Sequence, residues 1–249
     1  MIKGKSYTLM TEKLFSEDAY IRSSKCKVLD ITSNGTIIID KSVFYPTSGG
    51  QPGDSGEIIW SGDQCCEIET AVKGPENSIG LIPKEGSYLP KPNQECIQNI
   101  NWLNRFNNMR IHTALHLLSV VIPLPVTGGQ ISSGRGRLDF NMPEPPKDKE
   151  KLEAELNKLI LADYRVSQQW ITEETLAEQP ELVKTMSVSP PKGSGMIRLI
   201  RIGSEETQID LQPCGGTHVH STKEIGIIKL GKIENKGRQN RRVSISLSD

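Results

Sequence analysis

Apolar and polar residues alternate with a period of two along roughly the first 90 positions. KCKVLDIT, GTIIIDKSVFY, GEIIW and CCEIETAV each read as a short strand, and NG, GG, PGD and SGD mark the bends between them. Short strands joined by tight turns predict a small antiparallel barrel or sandwich. The stretch 84–95, KEGSYLPKPNQE, breaks the alternation with Pro, Gly and polar residues and predicts a linker. Beyond it the period changes. Over 101–122, Trp102, Leu103, Phe106, Met109, Ile111, Leu115 and Leu118 recur at helical spacing. SSGRGRLDFNM then reads as a strand leaving a Gly-rich turn. Residues 147–163 predict a helix with an apolar stripe at Leu152, Leu156 and Ile160. TEETLAEQPELVK predicts another, with Thr172 as its N-cap. SVSPPKGSG reads as a loop, and MIRLIRIG, TQIDLQP, EIGIIKLGKI and RRVSISL read as strands. No internal repeat is visible. The pattern predicts an α+β protein in two domains. A β-barrel domain with a Gly-rich motif covers 1–92. An α+β domain with an antiparallel sheet and helices covers 93–249.

The 249 residues are enough to bury a core in each domain. Thirty Lys and Arg balance thirty Asp and Glu, which excludes a globally basic nucleic-acid binder, so any such contact must use a local patch. No apolar run approaches the roughly 18–20 residues of a membrane helix. The start, MIKGKSYTLMTEKLF, has no apolar core after its lysines and does not read as a signal peptide. The cysteines are odd in number (Cys26, Cys65, Cys66, Cys96 and Cys214) and scattered, which suits a reducing, cytoplasmic setting better than a disulfide framework.

The four histidines fall in two short clusters. His112 and His116 are one helical turn apart, so both imidazoles lie on one face with Cβ atoms about 5–6 Å apart. In CGGTHVH, Cys214 and His218 are separated by two glycines and preceded by Pro213, a composition that favours a tight turn able to curl both side chains toward one point. A thiolate and three imidazoles form a suitable tetrahedral set for zinc. His220, two residues beyond His218, competes for the fourth position. The remaining cysteines read as structural.

HTALHLL at 112–118 together with CGGTHV at 214–219 resembles the editing domain shared by alanyl-tRNA synthetases and their free-standing AlaX-type relatives. FYPTSGGQPGDSG at 44–56 is similar to the Gly-rich motif of the barrel that precedes that domain. GGQISSGRGRLDF at 128–140 and EIGIIKLGKIENKGRQNRRV at 224–243 are similar to its later strands. SGRG at 133–136 and KGRQNRR depart from the family pattern. The threonyl-tRNA synthetase editing domain carries related HxxxH and CxxxH pairs but lacks the preceding Gly-rich barrel. No synthetase core precedes the matching region, so the chain resembles a free-standing, medium-length member.

The resemblance implies a trans-editing hydrolase that removes serine, or alternatively glycine, mischarged onto alanine tRNA at a Zn2+ held by His112, His116, Cys214 and His218. Three tight ligands and one exchangeable one suit catalysis better than four permanent ones. It marks Gln130 and Thr217 as catalytic candidates, and Gln130, Ser132, Gly49, Gly50, Gln51 and Asp54 as candidates for shaping the cleft around the substrate. Asp139 is expected to fix a hydrogen bond behind the site. Residues 223–242 carry seven basic and two acidic side chains, a local net of +5. Lys232, Lys236, Arg238, Arg241 and Arg242 are candidates for phosphate contacts to the mischarged tRNA. Two other classes use the same ligands: an aminoacylase-like zinc hydrolase of small substrates, and a non-catalytic tRNA-binding module with a structural zinc.

Overall fold

A computed structural model describes residues 10–62, 64–146, 148–184 and 195–248. Nearly all of the predicted SVSPPKGSG loop lies outside these residues. The chain divides into two units. One comprises the chain up to Ser48 together with Pro52–Arg105, the other Gly49–Gln51 together with the chain from Phe106.

The first unit is the barrel that the alternation predicts. β1 (Glu12–Lys13) pairs in parallel with β4 (Lys41–Ser42), and a single helical turn, α1 (Leu14–Glu17), follows β1. β2 (Ser23–Ile31), β3 (Ile37–Ile39), β5 (Gly56–Trp60), β6 (Gln64–Lys73), β7 (Ile79–Pro83) and β8 (Glu95–Ile100) close into a six-stranded antiparallel barrel, in the order β2-β3-β7-β6-β5-β8. Closure removes the exposed edges that short strands would otherwise present. In β6 the inward set begins as Cys66 and Ile68 and continues at Ala71, because a register shift between Ile68 and Thr70 changes which alternate residues face in. The interior holds Val28, Ile37, Ile39, Phe44, Ile58, Ile68, Ile79 and Leu81. β8 follows the Pro-rich 84–95 stretch and pairs with both β2 and β5, so that stretch joins two strands of one barrel.

A full buried ion pair braces this unit. The Arg105 Nε donates to both Asp54 oxygens at 3.0 and 2.9 Å and its Nη2 donates to Asp54 as well. Its remaining donors reach the carbonyls of Ala19 and Val43, and Asp54 also accepts the Tyr45 N–H.

The second unit is built on α2 (Trp102–Val121), with the division between units falling after Arg105. From Asn108 to Ser119 almost every α2 side chain is buried, polar ones included, as expected of a helix covered on several sides. Leu103, counted in the predicted apolar stripe, is instead 68% exposed. β9 (Val126–Ser132), β10 (Arg135–Asn141), β14 (Ile228–Asn235) and β15 (Asn240–Leu247) form an antiparallel sheet in the order β14-β15-β10-β9. Gly136 of β10 lies where a Cβ would strike Ile111 and Leu115, so a glycine there lets α2 press onto this sheet. α3 (Lys149–Leu161) starts at an Asp148 N-cap and lies along β14, where Asn157 exchanges hydrogen bonds with both backbone groups of Ile228.

A three-stranded antiparallel sheet, β11 (Val166–Thr172), β12 (Met196–Gly203) and β13 (Gln208–Pro213), completes the unit. Thr172 caps the short helix α4 (Glu173–Ala177). The helix expected to run on through ELVK ends there. Pro180, which cannot donate an N–H, opens a separate 3-10 turn at Pro180–Leu182. Among the described residues no helix is long and apolar enough to cross a membrane.

Candidate metal centre

α2 and the Cys-Gly-Gly-Thr-His turn after β13 bring His112, His116, Cys214 and His218 together. One ligand atom from each lies within 4.8 Å of the other three. Cys214 Sγ is 3.4 Å from His112 Nε2 and 3.3 Å from His218 Nε2. With Zn–S near 2.3 Å and Zn–N near 2.0–2.1 Å, the edges of a zinc tetrahedron come to about 3.3–3.6 Å. The two Cys214 separations fall on those edges, and the whole group, within 4.8 Å, is compatible with zinc. His220 is outside the group. It is exposed, and its N–H donates to Glu224.

Each imidazole is held from behind at its outer nitrogen, which directs Nε2 inward. His112 Nδ1 donates to Gln51 Oε1 at 2.9 Å. His116 Nδ1 donates to Asp210 Oδ2 at 2.9 Å, and Asp210 is gripped in turn by Lys184 and by Gln212 Nε2. His218 Nδ1 meets Thr113 Oγ1 at 3.2 Å. That hydroxyl gives its proton to the Met109 carbonyl and so can accept from the ring. Gln51 is itself fixed. Its Nε2 donates to Thr217 Oγ1 and its Oε1 also accepts the Thr217 N–H.

At Cys214 and His218 the electrostatics favour a metal. Burial pushes the Cys214 thiol up, but the imidazoles of His112 and His218 outweigh it and hold the thiol well below its ordinary range. Burial, with His112 beside it, holds His218 well below the ordinary imidazole value. A thiolate and a neutral imidazole are the protonation states a metal ligates. Burial acts against protonation at His116 too, yet Asp210 and Cys214 together raise it to about 9, so a metal there must displace its proton. Asp210 itself is lowered to about 2, because His116 and Lys184 overcome its burial. His116 and His218 are buried, whereas His112 and Cys214 are half-buried, so the centre opens on their side.

Two glycines make this geometry possible. At Gly216 a Cβ would lie 2.2 Å from His112 Cε1, so only a glycine lets the turn pass over that ring. At Gly50, where φ is +82°, a Cβ would lie 2.6 Å from the Gly129 carbonyl, and the Gly50 carbonyl accepts the Ile131 N–H at 2.7 Å. That clip against β9 delivers Gln51 to His112. Gly49 also has positive φ, +57°.

The other candidates do not share one place. Thr217 is fully buried, with its hydroxyl taken by Gln51. Gln130 is exposed on β9, its Oε1 accepting from Arg137, and Ser132 is exposed two residues on. Asp54 is buried on Arg105 within the barrel unit. Asp139, expected to fix a hydrogen bond behind the site, accepts from both Arg242 and Arg137, and Arg137 in turn donates to Gln130. In β10, Gly136, Leu138 and Phe140 are buried, so position 139 lies on the alternate face, the one it shares with Arg137 and with Gln130 directly opposite Arg137. Of the basic candidates, Arg242 holds Asp139, Arg241 holds Asn235 and the Pro143 and Gly237 carbonyls, and Lys236 pairs with Glu234. Lys232 and Arg238 are exposed.

Sequence reasoning passed over Asp210, Gln212, Thr113 and Arg198. A signal for the first two was present in TQIDLQPC. Asp210 and Gln212 share alternation parity with Cys214, and it is these polar positions of β13 that are buried.

This arrangement, a helix bearing HxxxH against a sheet ending in a CxxxH turn, defines a class. A profile described as "Threonyl and Alanyl tRNA synthetase second additional domain" matches residues 197–244. The chain is 31% identical over 250 residues to the alanyl-tRNA editing protein AlaX-M of Methanosarcina acetivorans, covering 96% of this chain and all of that protein. It is 35% identical over 240 residues to AlaX-M of Saccharolobus solfataricus, covering 94% and 98%. The alanine–tRNA ligase of Pyrobaculum arsenaticum matches at 33% over 90% of this chain but only 25% of its own length. The chain belongs to the family of alanyl-tRNA editing proteins.

Proposed function

We propose that this protein hydrolyses the ester of serine mischarged onto alanine tRNA, with the glycyl ester as a second substrate, at a zinc held by His112, His116, Cys214 and His218. The observation that carries this reading is the converging thiol and imidazoles, each ring fixed from outside by Gln51, Asp210 or Thr113. A zinc bound there supplies Lewis acidity at the ester carbonyl. Gln51 and Thr217 hold the His112 ring on the open side of the centre, which makes Thr217 a positioning residue.

Serine exceeds alanine by one hydroxyl, so a size sieve cannot favour it. The pocket must reward the hydroxyl with a hydrogen bond that alanine leaves unmade. Arg137, which can only donate, takes Gln130 Oε1 and so turns the Gln130 NH2 group outward as a donor. That donor, with Ser132 beside it, is the proposed reader of the serine hydroxyl. Gly49 and Gly50 shape the adjoining backbone, and Asp54 acts by bracing the barrel. Lys232 and Arg238, with Lys236, Arg241 and Arg242, supply phosphate contacts to the tRNA.

Deacylation of seryl- and alanyl-tRNA bearing alanine identity elements, with and without a chelator, tests the reading. Serine should be removed faster, and chelation should stop it. Gln130→Ala should narrow the serine-over-alanine ratio more than it slows both. Cys214→Ala and His116→Ala should lose most of the metal, and His220→Ala should keep it. Equal rates for the two esters would remove the selectivity, and no turnover of either with zinc present would remove the editing function.

A further inference from the structure

Trp170 of β11 is 49% exposed, two residues before the end of the strand. It sits directly opposite Arg198 of β12, and the Arg198 carbonyl accepts the N–H of Cys214 at 3.1 Å. Trp170, Arg198 and Cys214 therefore form one cross-strand row, and directly opposite residues point to the same face of a sheet. On that face Asp210 and Gln212 stand behind His116, so it is the face turned toward the metal centre. Strands lie about 4.8 Å apart, which puts Trp170 about 10 Å from the cysteine ligand. Arg198 fills the gap. Its Nη1 donates to the carbonyls of Gly216 at 2.7 Å and Cys214 at 3.2 Å, and its Nε donates to Gln168 Oε1 at 2.7 Å. One guanidinium thus ties the metal-binding turn to the strand that carries the indole.

We infer that Trp170 is a stacking platform for a nucleobase at the single-stranded 3′ end of the RNA substrate, a role that rests on the deacylation reading above. An ester on a terminal ribose lies within one nucleotide of its base. Placing that ester at the metal centre leaves the terminal or adjacent base at about the radius of the indole. Single-stranded ends are recognised by stacking on aromatic faces, which every base can use. The positive Arg198 beside the ring complements an anionic backbone, whereas an apolar peptide would gain nothing from that charge. The platform reads no sequence. It holds the strand in position while the ester is at the centre, so its loss should appear in KM more than in kcat.

The test uses the full-length, zinc-loaded protein and an uncharged RNA hairpin with a single-stranded ACCA 3′ end, alongside the same hairpin cut blunt. Trp170→Ala should weaken binding of the ACCA hairpin about tenfold, a typical effect of removing one base–aromatic stack. Trp170→Phe should bind nearly as the natural protein does, and the blunt hairpin should not distinguish any of them. Metal content and melting temperature should stay unchanged. Trp170→Leu keeps apolar bulk in the strand without a π-face and should behave like the alanine variant, which separates stacking from a folding defect. With mischarged tRNA, KM should rise by a similar factor and kcat should hold. Equal affinity of Trp170→Leu and the natural protein for the ACCA hairpin would overturn the inference. So would equal loss on the blunt hairpin, which would point to a protein-like or purely structural use of the ring. Because the hairpin is uncharged, this outcome is independent of whether the natural protein turns over any ester.

Discussion

His112 and Gln51 meet at 2.9 Å although 61 residues separate them in the chain, Nδ1 donating to Oε1. The contact fixes the tautomer, leaving His112 Nε2 to point at Cys214. It also explains why a Gly-Gly-Gln tripeptide from the N-terminal half groups with the second unit.

Gln51→Ala should weaken zinc binding by about 10- to 100-fold, the usual effect of removing a group that orients a ligand. Gln51→Glu, which keeps the acceptor and can accept a hydrogen bond from the Thr217 hydroxyl once that turns to donate, should stay close to the natural protein. Competition against a chromophoric chelator measures both. Equal metal affinity in all three proteins would show that the contact orients nothing.

The two glycines of the turn should behave differently. At Gly216 a Cβ would meet His112 at 2.2 Å, while at Gly215 nothing lies within 4 Å, and neither has a left-handed φ. Gly216→Ala should therefore cost about 1–3 kcal/mol through overpacking and lose metal with it. Gly215→Ala should fall within about 0.5 kcal/mol. Metal content and thermal unfolding of the pair give the comparison directly.

Those glycines show what could be read in the chain and what could not. HxxxH on a helical pattern and CxxxH in a Gly-rich turn have fixed local geometry, so the four candidate ligands stand out before any fold is known. The barrel strands follow from two-residue alternation, but β8 was hidden because it is short and sits behind a Pro-rich stretch that reads as a linker. The residues behind the ligands were hidden for another reason. Asp210, Thr113 and Gln51 act through pairings 94, 105 and 61 positions apart, which periodicity cannot supply. Gln51 stood out only as part of a glycine motif, while its acceptor role depends on where α2 lies. Asp139 was only partly legible. It shares a face with Arg137 and Gln130 and holds the arginine that orients Gln130, a link that needs the β9–β10 register to be known.

Within the barrel unit, Asp54→Asn should destabilise strongly. The change removes the carboxylate that neutralises Arg105, and both side chains are almost completely buried. Breaking a buried pair from one side leaves a charge without compensation, at a cost of about 3–5 kcal/mol. Adding Arg105→Met should recover part of the loss, since no buried charge then remains, although the Ala19 and Val43 carbonyls lose their donor. Urea unfolding of the full chain for the two single variants and the double measures the coupling. Strict additivity would mean that the pair contributes nothing as a pair.

The stabilisation by Asp139 depends on pH. The Arg242 guanidinium, joined by Arg137 and opposed by burial, holds the Asp139 carboxyl below the ordinary carboxylate range. A carboxyl with a lower pKa in the folded state than in the unfolded state stabilises the fold wherever it is ionised in both. Its contribution is complete above the unfolded value of about 3.9 and fades as pH falls through the lower folded value. Asp139→Asn should therefore cost roughly 1 kcal/mol at neutral pH, on the scale of a partly exposed bidentate pair. The difference from the natural protein should close as pH drops below about 4, where the natural side chain is itself becoming neutral. Added salt at neutral pH should also narrow it, because the three charges lie near the surface. Unfolding free energies of both proteins between neutral and acid pH provide the check. A gap that stays constant into acid would assign the loss to packing and leave the ion pair without a role in stability.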